Sequence, residues 1–141
     1  MDIPALRELV DVTLVYEGSL PADPESVGTL RRELAGALEP LDLGSDRLAD
    51  IALVVSEALT NAAMHAYISM TPGSTTLVAA VAGGSLRVTV TDEGRGMVPR
   101  TDSPGLGLGL GVMSRLADAL EISSPGGRGT EVSLKFPLSG S

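Results

Sequence analysis

The chain of 141 residues contains no cysteine and no tryptophan. Without thiols it can form neither a disulfide nor a thiolate metal site, and the cytoplasm is the expected location. One histidine is too few for an ordinary zinc centre. The only lysine, Lys135, sits near the C-terminus, so no glycine-rich loop here ends in the lysine that a P-loop needs. No apolar run reaches the roughly twenty residues of a membrane-spanning helix. The start, Met1-Asp2-Ile3-Pro4, lacks the basic segment of a signal peptide. Positive charge is scarce as well. Ten Lys and Arg stand against 18 Asp and Glu, a net −8, which argues against nucleic acid as a direct ligand.

The negative charge is unevenly spread. Residues 1–70 hold 12 acidic side chains and 4 arginines, whereas residues 71–141 hold 6 acidic and 6 basic ones. The second half is thus neutral enough to accept a polyphosphate, while the first is either a solvated surface or a face for a basic protein.

The neutral half carries the most informative stretch, Asp92 to Gly111. The alternating run Leu86–Thr91 predicts a strand that ends in Asp92-Glu93-Gly94-Arg95-Gly96. A loop with Pro99 and Pro104 follows, then glycines at 105, 107, 109 and 111, and then the apolar helical pattern Val112–Asp118. Unpaired N–H groups at a helix start, with no side chains in front of them, form an anion site. The stretch therefore reads as a nucleotide pocket, Asp92 serving the base and the glycines the phosphates. A dinucleotide fold is excluded, because the fingerprint spacing and a βαβ setting are both missing.

Around this stretch the pattern predicts an α+β sandwich with helices on one face of a mixed, mainly antiparallel sheet. A strand is expected over Val12–Tyr16, and residues 1–10 are a short helix or a tail. A helix starts at Asp23-Pro24-Glu25, with its apolar stripe on Val27, Leu30, Leu34, Leu38 and Leu41. A second runs from Ser45 to about His65, with its stripe on Leu48, Ile51/Ala52, Val55, Leu59 and Ala62. Thr75–Ala82 and Ser85–Thr91 form a hairpin across Gly83-Gly84. After the glycine loop a helix reaches about Ala119, followed by strands Leu120–Ser123 and Thr130–Phe136 and a disordered tail from Ser139. No internal repeat or long linker divides the chain, so one domain is expected over 1–141, its core over about 12–137.

On the second helix Glu57 and Asn61 are four residues apart and share a face. A carboxylate and a carboxamide one turn apart can orient a water and offer an oxygen to Mg²⁺. In isolation the pair would be an ordinary solvated helix face. Period-two counting puts Asp92 on the inner sheet face with Leu86, Val88 and Val90, and Thr130 with Val132, Leu134 and Phe136. Inward polar groups need partners, which an adenine edge could supply. The competing role for Asp92 is to cap a turn. His65 reads as structural, and Met64, Met70, Met97 and Met113 as core or pocket-lining side chains.

These motifs, taken together, resemble a known family. Glu57-Ala-Leu-Thr-Asn61-Ala-Ala-Met-His65-Ala-Tyr67 is similar to the N box of the GHKL ATPases, the superfamily with the Bergerat ATP-binding fold. Asp92-Glu-Gly94-Arg-Gly96 resembles its G1 box, Gly107-Leu-Gly109-Leu-Gly111 its G2 box, and Gly129-Thr130 its final motif. The Asn-Ala-x-x-His-Ala-Tyr form, the short lid and the Leu116-Ala-Asp118 ending look most like the bacterial anti-sigma factor serine kinases. The resemblance covers about residues 12–137.

The resemblance implies ATP and Mg²⁺ as cofactors. Asn61 would hold the metal, Glu57 would be the general base or water-orienting group, and Asp92 would bind the adenine amine, with Thr130 reaching the ring through water. Gly94 and Gly96 would open a lid over residues 93–106, on which Met97 lies. Gly105, Gly107, Gly109 and Gly111 would wrap the phosphates. Implied partners are an anti-anti-sigma (STAS) protein phosphorylated on serine and a sigma factor that is sequestered, with a homodimer as a further assembly to test. Two competitors stand beside this kinase: a nucleotide-binding switch that acts by binding alone, and a domain cut from a larger phosphatase–kinase regulator. No separate helical hairpin bears a phosphoacceptor histidine, which argues against a complete sensor kinase.

The charge asymmetry makes a prediction about such a partner. A basic sigma factor that docks on the acidic first half should associate more slowly as salt rises past physiological strength. Reversing Glu25 and Glu33 to lysine should slow it further. Surface-binding on-rates indifferent to both changes would leave the acidic half as a solvated surface.

Overall fold

In the computed structural model, the described residues are 12–69, 73–95, 116–117, 119–123 and 128–138. Their organising strand is β3 (Ser85–Arg95), because it is paired along both edges. On one side it forms a hairpin with β2 (Ser74–Ala82). Gly83 and Gly84 make the turn at φ +58° and +75°, a conformation that side chains with a Cβ resist. The two-residue turn sets Ala82 opposite Ser85, and the register then runs without slip to Thr75 opposite Asp92. On the other side, β5 (Arg128–Pro137) pairs with β3, Phe136 opposite Leu86 and Thr130 opposite Asp92. Edge strands β1 (Thr13–Pro21) and β4 (Ala119–Ser123) complete the order β1-β2-β3-β5-β4. Every pairing is antiparallel, so no parallel pair of a mixed sheet occurs among the described residues.

Alternation along these strands separates two faces. Leu77, Ala79, Leu86, Val88, Val90, Val132, Leu134 and Phe136 are buried on one. Their neighbours Thr76, Val78, Thr89, Thr91 and Ser133 are only half-buried on the other. Two helices cover the buried face. Helix α1 (Pro24–Leu38) starts as expected, with the Asp23 carboxylate accepting the Ser26 N–H at 2.9 Å and proline in the first turn. It buries Leu30, Leu34 and Leu38, one residue per turn. A 3₁₀ turn (Glu39–Leu41) ends it, and Asp42 and Gly44 reverse the chain at φ 52° and 89°.

Helix α2 (Ser45–Ser69) lies over β2 and β3 and buries Ile51, Val54, Val55, Ala58, Leu59 and Ala62. Its first turn is pinned where Arg47 donates to the Pro137 carbonyl at 2.7 Å.

Several boundaries depart from the sequence pattern. Strand β1 runs to Pro21, well past the expected Tyr16, because pairing with β2 carries Glu17–Pro21 into the sheet despite their weak strand character. Helix α2 continues one turn beyond His65. Strand β3 continues through Asp92 to Arg95, with a register shift after Asp92. Glu93–Arg95 therefore belong to a strand and not to the expected lid. Asp92 is paired on both sides, with Thr75 and with Thr130, and so stands in the strand and not in the turn that the sequence also allowed. Met64 is 50% exposed and so is not in the core, one of the two roles, core or pocket-lining, that the pattern offered it. Residues 1–10, the glycine loop, most of the helix after it and the tail lie outside the described residues.

A side-chain hydrogen bond ties the edge strand to α1. The Tyr16 hydroxyl donates to Glu33 Oε1 at 2.5 Å, and the ring lies over Gly18, where a Cβ would stand 2.2 Å from the hydroxyl oxygen. Burial, then the Glu33 hydrogen bond and its negative charge, push the Tyr16 pKa up from 10.0 to about 12. The folded state thus holds the phenol proton more tightly. Its contribution should be full below pH 10 and fall away between about pH 10 and 12. Tyr16→Phe should flatten that part of the stability–pH curve. Gly18→Ala should cost about 1–3 kcal/mol by overpacking. In a Tyr16→Ala background denaturant titration should show most of that cost gone.

Candidate functional site

Position along α2 follows from its anchor. From Arg47 to Asn61 is 14 residues, about 21 Å of helix. On the sheet below, Pro137 is opposite Ser85, and Ser85 to Asp92 spans about 23 Å of strand. The two lengths agree, so a helix running along β3 from that anchor would reach Asn61 at the height of Asp92.

At about 100° per residue, Asn61 sits on the same flank of α2 as Val54, at the edge of the buried stripe. Asn61 is 7% exposed, a buried carboxamide among Ala58, Ala62 and Ala63. Glu57, one turn earlier, is half-buried farther round the helix. The pair therefore bridges core and surface, and is not an ordinary solvated face. Small alanines on this turn keep side-chain bulk away from the carboxamide.

Below the helix a polar row closes an otherwise apolar sheet face. Cross-strand partners Thr75, Asp92 and Thr130 come from β2, β3 and β5, and they are 3%, 2% and 3% exposed. Leu20 of β1 stands at the end of the row, opposite Thr75. Asp92 and Thr130 are each engaged within the fold. The Thr75 hydroxyl finds no hydrogen-bond partner among the described residues. A buried carboxylate between two hydroxyls, walled by aliphatic groups, suits the donor-bearing edge of a flat heterocycle.

Of the residues singled out in the sequence, the fold sets Asp92 opposite Thr130, while α2, packed over β2 and β3, carries Glu57 and Asn61 one turn apart. Gly94 lies in β3, in the stretch where the register shifts. Gly96, Met97, Gly105, Gly107, Gly109 and Gly111 lie outside the described residues, as does the His65 side chain. Thr75 escaped the sequence reading. The signal was available: a two-residue turn at Gly83-Gly84 fixes the hairpin register, which counts back from Asp92 to Thr75. For a metal, no group of three or more His, Asp or Glu side chains exists among the described residues. The Asn61 carboxamide and the Glu57 carboxylate one turn away offer hard oxygens, the donor type that Mg²⁺ takes beside phosphate and water.

Residues 20–136 match the histidine kinase-like ATPase domain. A serine-protein kinase, RsbW, of Bacillus velezensis is 32% identical over 126 residues, 79% of each chain. An anti-sigma F factor of a Thermoanaerobacter species is 32% identical over 134 residues, covering 87% of this chain and 93% of the relative. Among solved structures, one of the RsbU and RsbW domains of a Mycobacterium tuberculosis protein superimposes with a TM-score of 0.69 at 27% identity. The match covers 87% of this chain but 31% of that longer one.

Proposed function

The chain belongs to the histidine kinase-like ATPase domain family, and from that premise we propose that it is an ATP-dependent serine kinase that doubles as an anti-sigma factor. Its substrate is a serine of an anti-anti-sigma partner, and a sigma factor is the protein it sequesters. The observation that carries this reading is the buried pairing of Asp92 with Thr130 on the sheet face that α2, the helix of buried Asn61, covers. Relatives over most of the chain length bear the serine-kinase and anti-sigma names. No helix among the described residues is long and apolar enough to cross a membrane.

In this reading the Asp92 carboxylate accepts from the adenine amine, and Thr130 reaches the ring through a water. The Asn61 carboxamide oxygen is a Mg²⁺ ligand. When bound, the ion supplies charge neutralisation at the phosphate oxygens. Glu57, half-buried beside Asn61, takes the serine hydroxyl proton as that oxygen bonds to the γ-phosphorus and ADP leaves. Gly94, at the end of β3, would lead into a lid that opens at Gly96 and carries Met97, and Gly105, Gly107, Gly109 and Gly111 would offer backbone N–H groups to the phosphates. The domain comprises residues 1–141, with its core over about 12–137.

Three substitutions separate the roles. Glu57→Gln should bind ATP nearly normally and lose transfer to the serine about a hundredfold or more. Wild-type transfer rates in that variant would remove Glu57 from the chemistry. If neither variant nor wild type transfers phosphate while both bind ATP, the chain is the binding-only switch. Asn61→Ala should lose Mg-dependent affinity, read by comparing ATP titrations with and without the metal. Asp92→Asn places an amide donor against the amine donor, and calorimetry should show a loss of about 1–3 kcal/mol in a folded protein.

A further inference from the structure

The Thr75 side chain is 3% exposed, yet its hydroxyl has no hydrogen-bond partner among the described residues. Such a group ordinarily costs free energy, because folding strips its water without replacing it. Its surroundings on the sheet face explain why nothing within the sheet satisfies it. Leu20 lies across β1 and Leu77 two residues along β2, both aliphatic. The one polar neighbour in the row is Asp92, directly across β3. Thr75 and Thr130 therefore flank Asp92 symmetrically, one from each adjacent strand.

An exocyclic amine carries two hydrogens, and a single carboxylate oxygen takes one of them. We propose that Thr75 completes the recognition of the base. Its hydroxyl accepts the second amine hydrogen, directly or through one trapped water, opposite the hydrogen bound by Asp92. The hydroxyl thereby acts as a specificity determinant for a 6-amino purine. This rests on the nucleotide-site reading above, and it accounts for a hydroxyl buried where a methyl would pack as well.

The assignment makes the two states of the protein respond oppositely to one substitution. Thr75→Val keeps the shape and β-branching and removes only the hydroxyl. The thermal midpoint of the nucleotide-free protein should stay level or rise, because a buried group without a partner is gone. ATP affinity by calorimetry should fall about fivefold to twentyfold. Thr75→Ser, which restores the hydroxyl, should bind ATP within about twofold of wild type. With purine riboside triphosphate, which lacks the 6-amino group, wild type and Thr75→Val should bind alike.

A lowered midpoint in nucleotide-free Thr75→Val would mean the hydroxyl serves the fold, overturning the proposal. So would unchanged ATP affinity, or an equal loss with both nucleotides. Failure of the wild type to prefer ATP over the deaminated analogue would instead overturn the nucleotide-site reading itself.

Discussion

Strand β3 is hydrogen-bonded along both edges and buried on one face, and every described site position depends on its register. Side chains alternate with a period of two, so a slip of one residue would turn Asp92 out to the Thr89/Thr91 face. It would expose Leu86, Val88 and Val90 in the same movement, removing three fully or nearly fully buried side chains from the core. The apolar part of the strand thus enforces the position of its polar end. The Gly83-Gly84 turn adds a second lock by fixing where β2 begins its pairing. A costly buried carboxylate is held in place by residues that never touch a ligand.

The same division of labour appears on α2. Ile51, Val54, Val55 and Leu59 secure the helix to the sheet, and Arg47 pins its first turn to the end of β5. With its start and its height above the sheet both set, its later turns have no freedom in where they present Glu57 and Asn61. Around Asn61 the buried alanines Ala58, Ala62 and Ala63 accompany Leu59. The graded burial of Glu57 and Asn61 follows from their angular offset around the helix. A buried amide oxygen and a half-exposed carboxylate suit different tasks, one a fixed ligand and the other a group that must meet an incoming hydroxyl.

The opposite face of the sheet carries Thr76, Thr89, Thr91 and Ser133, with Arg87 and Glu121 exposed. Threonine and serine tolerate a pleated surface that is neither fully wet nor fully dry. This face has no helix of its own among the described residues, in keeping with a two-layer arrangement.

By itself the sequence determined the element types, the face each strand buries and the inward direction of Asp92 and Thr130. These are local matters of periodicity, turn residues and capping, legible in Leu86-Val88-Val90, Gly83-Gly84 and Asp23-Pro24. The family motifs were legible too, because Asn61, Asp92 and Thr130 are spaced by the elements that carry them. Tertiary structure alone decided the order β1-β2-β3-β5-β4, since strand order is a choice among distant partners that no local pattern encodes. It also extended β1 to Pro21 and β3 to Arg95, where pairing overrode weak propensity. Above all, it set Thr75 beside Asp92 with its hydroxyl unsatisfied among the described residues. In the sequence Thr75 is the first residue of an expected strand, and it stands out as a site residue only when three strands lie side by side.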